Sequence, residues 1–209
     1  MSNIKNNKKL IIVSIAFGLI FSVLMELCNF NAHCNTIRSS VLRLHILANS
    51  DSEADQQLKL KVRDRLLVVT DRLFKECNGL SEAETAAKEN LSLLKSEASK
   101  IIKSEGYNYS VDVSVKQTDF NTREYDGFTL PAGTYDAIRV VIGKGEGHNW
   151  WCVMFPPVCV PSASNSEIGD ALNDGDTEIV ENKTRYKCRF KVVEWYEDVK
   201  NYLKDNFKL

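Results

Sequence analysis

The sequence predicts an α+β fold: two helices packed on one face of a small mixed, mostly antiparallel sheet, with an apolar N-terminal signal or anchor helix and an amphipathic C-terminal helix. Three observations carry this. Leu42, Leu44 and Ile46, and again Val111, Val113 and Val115, alternate with polar residues in the period-two pattern of strands. Leu58, Val62, Leu66, Val69 and Leu73 recur at helical spacing. Between Leu10 and Met25 there is no charged residue at all.

The N-terminal segment reads as an export element. Lys5, Lys8 and Lys9 precede the apolar run, and Glu26 ends it, so a positive region leads into a hydrophobic one. The run fits both a cleaved signal peptide and an uncleaved anchor, because a spanning helix needs roughly 20 apolar residues and a signal core fewer. The small-x-small cleavage pattern is poor, since Phe30 stands three places before a cut after Ala32. The expected division is 1–27 signal or anchor, 28–40 linker, 41–160 core domain, 161–184 acidic flexible linker and 185–209 amphipathic helix. A chain of 209 residues with 44% hydrophobic content supports one such core.

Within that core, the first strand is expected to be half-buried, with Arg43 and His45 on its polar side. Asn49 to Ser52 form a turn, and Ser52 with Asp55 offers acceptors to the free N–H groups that open helix one. That helix is predicted to run to about Cys77, where Asn78 and Gly79 stop it. Ser81 and Glu84 suggest a second capping box, and Ala83, Ala87, Leu91, Leu94, Ala98 and Ile101 form the stripe of one helix ending near Gly106.

The strand from Val111 follows. Thr134 to Ile142 suits a central strand, with Ile138, Val140 and Ile142 on one side and Tyr135, Ala137 and Val141 on the other. Gly143, Gly145 and Gly147 are read as a hairpin turn into Trp150–Phe155, which Pro156 and Pro157 end. No Lys-Ser or Lys-Thr pair follows these glycines, so they are not a phosphate loop. Farther on, Glu167, Asp170, Asp174, Asp176, Glu178 and Glu181 sit among small polar residues that cannot bury enough to fix a conformation. In the last helix Val192, Tyr196, Val199, Leu203 and Phe207 share one face, which is expected to dock on the domain or a partner in preference to a membrane surface.

Candidate chemistry is sparse. Lys+Arg at 27 against Asp+Glu at 28 gives a formal net charge of −1, so the chain offers no basic footprint and nucleic acid is not an expected partner. The six cysteines contain no C-x-x-C pair, which leaves a zinc site from His148, Cys152 and Cys159 poorly supported. No metal and no cofactor is expected. A disulfide between Cys152 and Cys159 is better supported, because the turn at Pro156 and Pro157 can bring their Cα atoms within the roughly 4.4–6.8 Å a bridge requires. Two packed thiols are the alternative. Cys152 as a nucleophile with His148 or His45 as base is the sharper alternative, but a cysteine four residues from His148 sits on neighbouring strand positions and not across a cleft, and His45 beside Arg43 reads more simply as a satisfied surface or sheet histidine. Asp51 and Asp55 are explained by capping and the helix dipole before acid-base chemistry.

The stretches LRLHILANSDSEADQQLKLKVRD, Leu42 to Asp64, and LPAGTYDAIRVVIGKGEGHNWWCVMFPPVCV, Leu130 to Val160, closely resemble the two signature stretches of the stage II sporulation protein R family. The likeness covers Val41 to Val160, while the acidic segment and last helix match only in kind. It implies a forespore-made protein exported into the space between the two membranes of the developing spore, secreted or membrane-anchored. There it would activate a membrane-embedded aspartic protease of the mother cell, which processes the precursor of sporulation sigma factor E. No catalytic residue carries over, and a non-enzyme is expected. Other classes open to the sequence are a thiol-dependent extracytoplasmic hydrolase and an anchored envelope binding domain.

Residues expected to bind the partner are Asn49, Asp51 and Gln56, for which capping by Ser52 and Asp55 leaves no structural duty. Local side-chain bonding by Asn49 or Asp51 within the turn is the competing account. Trp150 and Trp151 join them as candidates. Adjacent strand residues point to opposite faces, so one of the pair can remain exposed beside the proline turn.

Overall fold

The computed structural model describes residues 2–125, 128–157, 172–181 and 183–207. Helix α1 (Ser2–Arg38) is followed by strand β1 (Leu42–Leu47) and helices α2 (Glu53–Phe74), α3 (Leu80–Glu89) and α4 (Leu91–Ser104). Then come β2 (Val111–Phe120), the short β3 (Arg123–Tyr125) and β4 (Phe128–Leu130), β5 (Gly133–Ile142) and β6 (Asn149–Phe155). Helices α5 (Asp174–Glu181) and α6 (Lys183–Phe207) complete the order.

Four strands form a mixed sheet in the order β2-β5-β1-β6, in which β1 runs parallel to β5 and antiparallel to β6. The pair β2–β5 is antiparallel over the full length of both strands. The α+β class and the helices on one sheet face are therefore as the sequence predicts. The glycine-rich segment is not a hairpin turn, because β1 lies between β5 and β6. It instead passes over the end of β1 and delivers β6 to the far edge.

One face of the sheet supplies Leu42, Leu44, Ile46, Ile138, Val140 and Ile142 to a core shared with Leu58, Val62 and Leu66 of α2 and Leu94, Ala98 and Ile102 of α4. Each large apolar side chain so buried contributes roughly 1.5–3 kcal/mol. Arg65 Nε of α2, 2.6 Å from the buried Glu97 carboxylate, ties α2 to α4, and Lys100 Nζ holds the same carboxylate at 2.6 Å from within α4. Ser52 caps α2 as expected, its Oγ accepting the N–H of Asp55 at 3.2 Å.

The expected Ser81–Glu84 box does not cap α3. That helix begins at Leu80 with Gly79 at its cap position, two residues too early for Ser81 to serve as its cap, and Glu82 instead accepts the backbone N–H of Asn78 at 2.9 Å. A single second helix is also not what forms, since Asn90 leaves helical geometry and separates α3 from α4. Its side-chain amide donates to the Ala86 carbonyl at 2.9 Å, a local bond that competes with helix continuation.

The opposite face is covered too, as the two-sided apolar pattern of β5 indicates, although the sequence did not show which segments cover it. Phe30, Cys34 and Ile37 of α1, Ile179 and Val180 of α5, and Tyr186, Phe190 and Val193 of α6 pack there with Phe120, Phe128, Leu130, Tyr135 and Val153. Residues 28–38, expected as linker, thus continue α1. Residues 174–181, expected as flexible, form α5, where Asp176 is fully buried and accepts from Asn173 at 2.6 Å and bonds His33 Nδ1 at 2.7 Å. Arg38 at the end of α1 donates through Nε to the Ala132 carbonyl at 2.9 Å and lies 3.6 Å from the buried Glu197 of α6.

Because of this second layer, β1 is central and covered on both sides. Arg43 is fully buried, with its guanidinium 3.8 Å from the Phe120 ring centroid, 4.8 Å from that of Tyr135, and 2.6 Å from the Tyr125 hydroxyl. Aromatic faces attract a desolvated guanidinium, and they take the place of a carboxylate here. His45 is likewise buried and stacks on Trp151 at 4.0 Å.

Candidate functional site

The turn after β1 and the loop after β5 meet at one end of the sheet, and their side chains are mutually braced. Gly143 and Gly145 adopt positive φ, 57° and 68°, a conformation that glycine enters without strain. At Gly147 a Cβ would run into the Ser50 carbonyl, so the loop can approach the turn only with glycine there. Gly147 N–H then bonds the Ala48 carbonyl at 3.0 Å, and Glu146 N–H the Asn49 carbonyl at 3.3 Å.

The three polar residues expected to be spare all have structural work. Asn49 Oδ1 accepts the Lys144 N–H at 3.0 Å, and its Nδ2 donates to Asp55 at 2.9 Å. Asp51 accepts the His148 N–H at 2.6 Å and also bonds the His148 ring. Gln56 Nε2 donates to the Ser50 carbonyl at 2.9 Å, while its Oε1 accepts from Lys59 Nζ at 2.5 Å. Lys59 Nζ reaches the His148 carbonyl at 2.9 Å as well. The premise that capping by Ser52 and Asp55 left them idle is therefore corrected: Asn49 and Asp51 bond a loop some 95 residues away, and Gln56 bonds Ser50 and Lys59 within its own segment.

Electrostatics follow from these contacts. Burial pushes the Asp55 carboxyl up, but bonds from Ser50, Asn49, Tyr109 and Ser52 outweigh it and hold the group below its ordinary value. Asp51 is held low first by the His148 backbone N–H. Burial depresses the Lys59 ammonium. What remains outward is the Asp51–His148 pair, whose side chains are 55% and 78% exposed.

Trp150 joins this end of the sheet, half-buried on the α2 side with Arg63 Cζ 4.3 Å from its ring. Trp151 does not. It lies half-buried on the opposite face against His45 and Phe120. Both indoles are thus partly covered, on opposite sides of the strand.

Cys152 is buried on the helical face and disulfide-bonded, whereas Cys28, Cys34, Cys77 and Cys188 are free. Cys159, its expected partner, lies outside the described residues. His45 projects from the other face of the sheet, and His148 is engaged with Asp51, so neither is placed as a base for Cys152. Among the described residues no group of three or more His, Cys, Asp or Glu is arranged to hold a metal ion.

Sequence reasoning missed Lys59, Lys144 and His148 as parts of this ledge. The spacing of Gly143, Gly145 and Gly147 was the available signal of close backbone approach. Helix α1 holds the stretch Lys9–Arg38, long and apolar enough to cross a membrane, and its apolar part packs on nothing in the domain. That is compatible with secretion or with anchoring.

The family described as stage II sporulation protein R matches residues 38–165, which hold the whole four-stranded sheet and the braced turn and loop. A stage II sporulation protein R of Bacillus subtilis (strain 168) is 40% identical over 131 residues, 63% of this chain and 58% of that relative's length. No solved structure matches the chain. The family match lies on the core that the sheet and its helices build, and the chain belongs to the stage II sporulation protein R family.

Proposed function

We propose that the chain is an exported signalling protein of sporulation that activates a membrane-embedded aspartic protease of the mother cell, leading to processing of the sporulation sigma factor E precursor. The observation that carries this reading is membership of the sporulation protein R family across residues 38–165. The apolar α1 supports it, since a segment of that kind delivers a domain across a membrane or holds it there.

The surface read by the protease is, on this proposal, the ledge of Asn49, Asp51 and Gln56 with His148 and Trp150 at its border. Asp51 and His148 present exposed polar groups on a backbone that their own bonds hold rigid, and pre-organised polar groups lose little entropy on binding. Trp151 belongs to the same strand but serves the other face. A bridge between Cys152 and Cys159 would fasten the end of β6, a stabilising and not a chemical role.

The test is co-expression of this chain with the protease and the precursor in a host that has neither. Processing that depends on the exported chain supports the proposal; processing that proceeds equally without it rejects the proposal.

A further inference from the structure

Helix α6 docks through Tyr186, Phe190, Val193 and Glu197, with Phe30 of α1 stacked at 5.7 Å on Tyr186 and edge-on at 5.5 Å to Phe190. Of the stripe expected to dock on the domain or on a partner, Val192, Tyr196, Val199 and Leu203 are exposed and do not dock on the domain, and Phe207 lies outside the residues whose side chains are described. The reason is that Phe30 and Ile37 of α1 offer an apolar wall to the residues turned about a third of a revolution away.

The exposed side has a period of its own. Cys188, Val192, Trp195, Val199, Tyr202 and Asn206 follow one another at intervals of four, three, four, three and four, which is the heptad seam of a coiled coil. Trp195 is 69% exposed and Tyr202 64%, with Tyr196 and Leu203 flanking them. Isolated exposed apolar residues are ordinary, whereas a continuous line of them at heptad spacing marks a helix-binding face.

We propose that this seam pairs with the same seam of a second copy of the chain, in parallel and in register. The a positions are Val192, Val199 and Asn206. Valine at a is the β-branched choice of two-stranded coiled coils, in which leucine takes the d places that Trp195 and Tyr202 hold here, and an asparagine at one a position fixes register by bonding its own copy. Asn206 spends one amide hydrogen on the Tyr202 carbonyl at 2.8 Å, and among the described residues its second donor and its acceptor oxygen are available. In this register Lys191 faces Tyr196 of the copy and Asp198 faces Leu203, so no like charges meet across the flanks. An apolar groove of about 470 Å³ between α1 and α6, lined by Val23, Leu27, Cys188 and Val192 among others, extends the seam toward the apolar part of α1. The occupant is therefore a helix that follows α6 down to the membrane-facing end, as a second α6 does.

The pairing is independent of the signalling proposal, whose failure would leave it standing. The full chain in detergent micelles is expected to sediment as a dimer, and Trp195→Glu with Val199→Glu to halve that mass without altering circular dichroism, while the thermal midpoint loses its dependence on protein concentration. In a Cys28→Ser background, which removes the exposed cysteine of α1, a short bismaleimide is expected to join two copies through Cys188. That product should vanish in Cys188→Ser and in the double glutamate variant. A monomeric full chain, a dimer indifferent to the double variant, or a dimer that Cys188 does not cross-link would each overturn the parallel seam.

Discussion

The carboxylate of Asp51 accepts the backbone N–H of His148 at 2.6 Å, fastening the loop after β5 to the turn after β1. Removing that acceptor should free the loop locally. Asp51→Ala is expected to speed hydrogen exchange at the His148 amide while amides of β5 remain protected. Unchanged exchange at His148 would mean that the glycine contacts alone hold the loop.

The same contact sets an acid limit. Asp51 is held below its ordinary value, so its contribution to stability is present above the unfolded carboxylate pKa of about 3.9 and is lost as pH falls through the lower folded value. Asp51→Asn should flatten that part of the acid denaturation curve. A curve of unchanged shape would assign the acid sensitivity to other carboxylates.

Gly147→Ala should be costly, because the new methyl group meets the Ser50 backbone and not a movable side chain. Overpacking of this kind typically costs about 1–3 kcal/mol. Urea denaturation measures it directly, and a loss well under that range would show that the turn can retreat.

His45 should make the domain sensitive to mild acid. Burial lowers its pKa below 6.5, with Arg139 and Lys116 acting in the same direction against the Asn149 bond. Below the unfolded value the unfolded chain binds the proton and the folded one does not, so stability falls as pH drops from 6.5 toward the lower folded value. His45→Gln should remove that slope between neutral pH and the folded value. A slope that survives the substitution would belong to another group.

Much of this architecture is legible locally. The two-sided burial of β5 is written in Ile138, Val140 and Ile142 against Tyr135 and Ala137, and the cap of α2 in Ser52. Pairings between distant segments are not. Arg43 and His45 look like the wet side of a strand because their aromatic partners, Phe120, Tyr135 and Trp151, lie far along the chain. For the same reason Asn49 and Asp51 look unemployed until the glycine loop arrives. The α6 stripe was identified correctly as apolar, but which side docks depends on Phe30, outside the expected core.

The central proposal is that this chain switches on the protease by contact, and purified components test it most directly. The protease is placed in proteoliposomes with the sigma factor precursor on its cytoplasmic side, and the exported chain is added on the other. The account predicts precursor cleavage that rises saturably with added chain, and that falls in Gln56→Ala and Trp150→Ala variants whose thermal midpoints are retained. Cleavage at the same rate with no chain added, or none at saturating chain, would contradict it.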